Sequence, residues 1–426
     1  MKAPFKWDNY SDQPALLTDK AYKKKMRKKE FFSLVQTFFI ALVMLPFSIL
    51  AMPFVKRKEI DSKHFFSMGV DFERNPQESL LFLDELGVES ILLRFKLWEM
   101  QMLPQLKAFI QTSKKRHITL KILQDREHIE DLALLENDLK QIFTQLDGFI
   151  DIYEIGSTIN RSKWGFFSLN EYHQFFKVAY NLQQKSFPKS KLIGSSVIDF
   201  EYHFTAHSLF NLCKFHYDGI ASLLYVDRRG APENTQMGFA LSDKIALLST
   251  LVWLSPKTNK KLYITETNWP LSGTAPYAPT SEKECVSESL YSDYMLRYHY
   301  LAFASQQVDS IAWHQLIAPG YGLVDNRDSL HKRKAFASYQ FMVQTLKNAQ
   351  FLRLDIKRGY YILQCLIEEQ LLQIHWSLKP TSLFNEASFE VYSSKGKRIK
   401  DKELTISSDP IYIFITHAVG EKVNCL

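Results

Sequence analysis

Cysteine is scarce in this chain of 426 residues, and what there is forms no pattern. The four cysteines, Cys213, Cys285, Cys365 and Cys425, lie far apart without a CxxC spacing, which argues against a thiolate metal site and makes disulfides optional at this size. The twelve histidines are scattered with no HExxH or HxxEH, and neither GxxxxGK[ST] nor GxGxxG occurs. Metal-dependent hydrolysis and nucleotide binding therefore lack their usual signatures, and no metal or cofactor is expected. Positive charge is also missing where a nucleic-acid surface would need it. Residues 1–59 hold twelve Lys/Arg and five Asp/Glu, which accounts for the whole formal charge of +7 and leaves forty-one residues of each sign in 60–426. The globular part is neutral, so nucleic acid is not expected as a partner. No tandem repeat is visible.

What is present begins with a charge-free run. After the basic stretch KAYKKKMRKK (residues 20–29), Phe31 to Val55 carries no charge for twenty-five residues, and Lys56-Arg57-Lys58 follows. At about 1.5 Å per residue, such a helix is long enough to cross a hydrocarbon core of roughly 30 Å. The expectation is a cytoplasmic basic segment (1–30) and a transmembrane anchor (31–55). The excess of cations before the run then places a single-pass protein in the inner membrane with its large domain in the periplasm. Pro46 and Pro53 would kink or end the helix. A cleaved signal peptide is the rival reading, although its apolar region is usually shorter, about 7–15 residues.

From residue 65 onward, short apolar runs alternate with segments of helical period, the pattern of βα units around a parallel sheet. Eight candidate strands stand out: 65–72, 90–95, 118–123, 149–156, 191–198, 219–226, 261–267 and 310–316. Eight strands with intervening helices fit a (β/α)8 TIM barrel over 60–350. The helices carry their own punctuation: 75–87 ends on Gly87, and 168–188 runs from a cap-like Ser168 to Pro188. Met295 and the tyrosines of 281–307 read as packing groups. Beyond the last helix (333–350), YYILQCLI, LLQIHWSL, ASFEVYSS, ELTIS and IYIFITH predict a small antiparallel β domain over 351–426. The fold class is α/β, with an N-terminal transmembrane helix and a C-terminal β domain.

In such a barrel the chemistry lies at the C-terminal ends of the strands. The candidates by position are Asp71 and Glu73, Arg94, Gln124 and Asp125, then Ser157, Thr158 and Asn160, followed by Asp199 and Glu201, Tyr225 and Asp227, Glu266 and Trp269, and Trp313 with His314. Carboxylates, an arginine and aromatic rings together suit a sugar, because ring faces stack on pyranoses while polar groups orient hydroxyls.

The stretch YITETNWP (263–270) resembles the seventh-strand motif of the clan A retaining glycoside hydrolases, and YEIGSTINRSKWG (153–165) is similar to their fourth-strand motif. The resemblance implies that Glu266 takes the nucleophile position with Trp269 beside it. It also sets Ser157 where the family has Asn, and Thr158 where it has the acid/base Glu. Tyr225 corresponds to the aromatic that positions the nucleophile, Trp313 to the sugar-subsite aromatic, and Arg94 to the arginine near the nucleophile.

Threonine cannot replace an acid whose partner carboxylate should lie about 5–5.5 Å away. Glu154 has the same strand parity as Thr158 but sits roughly 13 Å deeper at about 3.3 Å per residue, which suits a paired carboxylate inside the barrel. Three accounts stay open. A loop carboxylate (Asp199, Glu201, Asp227 or Glu233) supplies the proton; the cleft binds glycan without cleaving it; or the bond broken is labile enough to need little acid assistance. The anchor, degenerate barrel and β tail also look similar in layout to the membrane-bound Kdo-trimming hydrolases of Gram-negative bacteria, which act as two proteins. That resemblance implies an envelope glycan or lipopolysaccharide as substrate, with a second protein subunit carrying catalysis. The alternative is a non-catalytic carbohydrate-binding or scaffolding subunit.

Overall fold

The computed structural model describes residues 5–113, 116–386 and 389–415; Cys425 lies outside them. Among the described residues, eight parallel strands close into a barrel. They are β1 (Phe66–Val70), β2 (Ser90–Lys96), β3 (His117–Leu123), β4 (Ile152–Ile155), β5 (Lys191–Ile198), β6 (Gly219–Leu223), β7 (Leu262–Thr267) and β8 (Ser310–Trp313). Each falls on one of the eight runs expected from sequence. Strands covered on both faces must be apolar along their length, and β1 is buried at every position. Closure is made by β8 on β1, where Ile311 pairs with Phe66 and Trp313 with Met68.

One irregularity shapes the interior. The β5–β6 register shifts between Gly194 and Val197, and Ser195 and Ser196 have positive φ (75° and 32°). A bulge of this kind re-aims side chains. Here it turns the Ser196 hydroxyl onto Glu154 Oε1 at 2.7 Å.

The surrounding helices start and stop where their caps dictate. Helix α3 (Pro76–Leu86) carries proline in its first turn and ends on Gly87 with φ 71°. Helix α6 (Leu169–Ser186) is capped by Ser168, whose hydroxyl accepts from Glu171 N. Outside the barrel also run α4 (Leu103–Thr112), α5 (Leu132–Leu146), α7 (Tyr202–Leu209), α8 (Leu241–Leu254), α9 (Glu288–Ser305) and α10 (Lys334–Leu346). Met295, Tyr291, Tyr298 and Tyr300 of α9 are fully buried, in keeping with packing groups.

Among the described residues of the C-terminal region, six strands form one antiparallel sheet and two form a separate one. Its first strand, Gln350–Lys357, was not foreseen. It is a half-exposed edge whose charged residues mask the strand pattern. The sheet is tied to the barrel by Trp376 Nε1 donating to Glu233 Oε1 at 3.2 Å and by the hydroxyls of Tyr300 and Tyr412 at 2.5 Å, while Arg297 holds Glu233 in place from the barrel side at 3.2 Å.

The N-terminal region departs most from expectation. Trp7–Asp8 and Gln13–Pro14 pair as a short hairpin that sits on the mouth of the barrel. A basic helix, α1 (Lys20–Lys29), follows, and then the apolar helix α2 (Phe31–Ala51), which runs through Pro46 and is ended by a turn at Met52–Phe54 containing Pro53. The span Phe31–Phe54 contains an 18-residue stretch with a mean hydropathy of 2.2 and is long enough to cross a membrane. It packs across α6, α7 and α8. Residues 5–19 therefore lie on the same body as the barrel, although the sequence reading sets them on the far side of a bilayer from it.

Candidate active site

The ends of β4 and β7 converge on one pocket of about 200 Å3, bordered by Thr158 and Glu266 together with Arg94, Tyr225, His314 and Tyr321. Glu266 closes β7. The Tyr225 hydroxyl donates to its Oε1 at 2.6 Å, and Lys121 Nζ lies 3.6 Å from its Oε2. Burial pushes its carboxyl up, but His314, Lys121, Arg94 and the Tyr225 hydrogen bond outweigh that and bring it down to about 2. His314 is itself lowered to about 4, chiefly by burial. At neutral pH its imidazole is uncharged, so Lys121 and Arg94 supply the positive field that keeps Glu266 ionised.

Thr158, in the turn after β4, borders the same pocket with a left-handed backbone (φ 50°), and its hydroxyl lies 3.3 Å from that of Ser157. Gln124 locks the turn: it accepts from Ser157 N at 2.8 Å and donates to Ser157 O at 2.9 Å and to Trp164 O at 2.8 Å. Asn160 points elsewhere. It pairs with the backbone N and O of Ile198, both at 3.0 Å, and donates to Glu201 at 2.7 Å, so it buttresses the β4–β5 connection and does not border the pocket.

Trp269 and Trp313 also correct the sequence reading. Both are completely buried and stack on each other at 6.0 Å, and their indole nitrogens donate to Gly230 O and to the Tyr291 hydroxyl. Neither offers a ring face to a sugar. The aromatic groups that do border the pocket are Trp164, Tyr225 and Tyr321, the last stacked on His314 at 5.2 Å.

Glu154 is fully buried, accepts from Ser196 at 2.7 Å and Thr265 at 2.9 Å, and lies 3.3 Å from Lys121 Nζ. Burial raises its pKa, with Lys121 the chief opposing influence. This is the paired interior carboxylate expected from its strand position. Lys121 was overlooked, although a lone charge inside the apolar run ITLKIL was a usable signal.

None of the loop carboxylates considered as proton donors borders the pocket. Asp199 and Glu201 bind Arg161 at 2.8 and 2.7 Å, and Glu233 is tied to Arg297 and Trp376. Glu73 is paired with Lys96, and Asp125 caps a short helix and holds His128. Asp71 does not border the pocket either; burial and the charge of Asp12 push it up to about 6.

Among the described residues, the second carboxylate in the pocket comes from the N-terminal hairpin. Asp12 Oδ2 accepts from Arg94 NH1 at 2.6 Å, and Asp12 O accepts from NH2 at 3.2 Å. Burial opposes its ionisation, yet Arg94 and Lys96 hold its pKa below the usual value. Gln13 fastens the hairpin by donating to Pro279 O at 3.0 Å and accepting from Lys163 at 2.6 Å. Trp7 packs against Trp98 and Trp164 at 5.2 and 5.8 Å.

No protein-family model matches the chain, and no curated protein matches it. Solved structures do. A family 39 glycoside hydrolase from the gut symbiont Bacteroides cellulosilyticus WH2 is 12% identical, with 84% of this chain and 82% of that one covered at a TM-score of 0.66. A GH39 β-xylosidase from Caulobacter crescentus is 11% identical over 84% and 98% of the two chains, at 0.57. A GH30 endoxylanase from Clostridium papyrosolvens C71 is 9% identical over 85% and 97%, at 0.56. The fold is that of glycoside hydrolases.

Proposed function

We propose that this chain is a glycoside-hydrolase-like protein attached to the inner membrane, which takes an envelope glycan such as lipopolysaccharide into its barrel cleft. The observation that carries the reading is Glu266, held ionised in a small pocket that Thr158 borders instead of an acid. Glu266 stands ready as a nucleophile or as an anion stabilising positive charge at an anomeric carbon. Asp12 is locked to Arg94 as an anion and supplies no proton at neutral pH. The chain therefore works as one subunit of a two-protein Kdo-trimming hydrolase, with the proton donor contributed by its partner. A labile ketosidic linkage would lower the need for that donor. The β-xylosidase and endoxylanase of the same fold support a glycan as the ligand.

The same missing acid favours a second reading, a carbohydrate-binding or scaffolding subunit without turnover. Release of sugar from lipopolysaccharide by membranes carrying wild-type or Glu266→Gln protein separates the two. The hydrolase reading expects at least about a 100-fold loss with folding unchanged, whereas equal release by both proteins would remove Glu266 from the chemistry. Thr158→Glu should raise hydrolysis of an activated aryl glycoside by on the order of 10-fold or more. No gain would mean that the cleft has moved away from a hydrolytic geometry.

A further inference from the structure

Helix α2 is built inside out. Its fully buried positions are small or polar: Thr37, Ala41 and Ser48 are 1%, 4% and 0% exposed, with Ile40 and Met44 only partly buried beside them. The Thr37 hydroxyl lies 2.8 Å from His207 Nδ1, and the Ser33 hydroxyl accepts from Asn170 N at 3.3 Å. The opposite face carries the large apolar groups, with Phe39 and Leu42 65% and 73% exposed. A helix on a protein in water turns its apolar stripe inward. This one calls for apolar surroundings on the outside.

Both ends of the helix are meanwhile fastened to the barrel. Before it, Asp12 is held by Arg94, the Tyr22 hydroxyl donates to Glu130 at 3.1 Å, and Ser168 donates to Glu30 at 2.6 Å. After it, Lys58 N donates to Gln306 O at 3.0 Å and the Lys58 ammonium is paired with Asp309. A crossing of roughly 30 Å of hydrocarbon would tear one of these sets away.

We propose that α2 lies within a single leaflet, with its outer face among acyl chains, so that the N-terminal hairpin and the barrel occupy the same side of the bilayer. The proposal rests on the membrane reading above and replaces the single crossing expected from sequence. Its occupant is an anionic lipid surface. Seven Lys/Arg of α1 precede the helix and Lys56, Arg57 and Lys58 follow it, matching anionic headgroups at both ends. A second copy would instead bring a further set of the same cations to the rim.

Full-length protein tagged at each end, in sealed right-side-out and inverted membrane vesicles, tests this by protease accessibility. Both tags should be cleaved in the same vesicle preparation. Tags exposed on opposite sides of a membrane-bound protein would overturn the in-plane placement and leave membrane attachment standing; recovery of the protein free of membranes would overturn both. Purified Phe39→Asp/Leu42→Asp should bind phosphatidylglycerol-containing vesicles at least 10-fold more weakly with its unfolding transition unchanged. Unaltered binding, or a stable dimer in detergent that this variant abolishes, would overturn the lipid assignment.

Discussion

Lys121 shows how one buried charge organises the site. Its ammonium lies 3.3 Å from Glu154 and 3.6 Å from Glu266, with no exposed surface. Removing one member of a buried ion pair leaves its partner uncompensated and costs about 3–5 kcal/mol. Lys121→Met should therefore lower stability to urea by about that amount and raise the pKa of Glu266, which a carbon-13 carboxyl titration would follow. Asp12 makes the complementary case. Asp12→Ala frees a buried guanidinium at the mouth of the pocket, so calorimetric titration with a small carboxylate sugar such as glucuronate should show tighter binding than wild type. Residue type and strand position alone made Glu266, Tyr225 and Arg94 legible. Trp269 and Trp313 were misplaced because strand-end position does not say whether a ring enters the cleft or the barrel wall.

At the scale of elements, the β5 bulge decides which side chains meet. Gly194 is required where the strand passes the α6 helix: a Cβ there would collide with the Tyr172 hydroxyl and lie 2.9 Å from the ring of Phe176. Overpacking of this kind costs about 1–3 kcal/mol. Gly194→Ala should shift the urea midpoint down accordingly. It should also disturb Glu154, because the Tyr172 hydroxyl accepts from Ser195 N at 2.6 Å beside the serine that binds Glu154. The strands were readable because a parallel barrel buries them on both faces; the bulge was not, since nothing in KLIGSSVI distinguishes it from a regular strand.

The whole molecule carries a set of histidines kept neutral by burial. His173 is lowered to about 3, and His299, His314 and His375 to about 4. With an ordinary value near 6.5, the unfolded chain takes up these protons before the native one does. Stability is then fully present above about pH 6.5 and is lost as pH falls toward 4, by roughly 1 kcal/mol per pH unit for each histidine. Thermal unfolding between pH 7 and pH 4.5 should show the melting temperature falling steeply over that window. A flat profile would mean that these imidazoles take up protons at the same pH in the folded protein as in the unfolded chain.

The sequence by itself determined the barrel, the apolar helix and the strand ends that border the pocket. These depend on local pattern: apolar runs of strand length, a charge-free helix, and polar residues following strands. Only the tertiary structure decided that the N-terminal hairpin enters the cleft, that Asp12 neutralises Arg94, and that α2 turns its polar face to the barrel. Each is a contact between segments distant in the chain, formed because burying a charge or a polar face demands a partner. Local sequence records the demand but not which distant residue meets it.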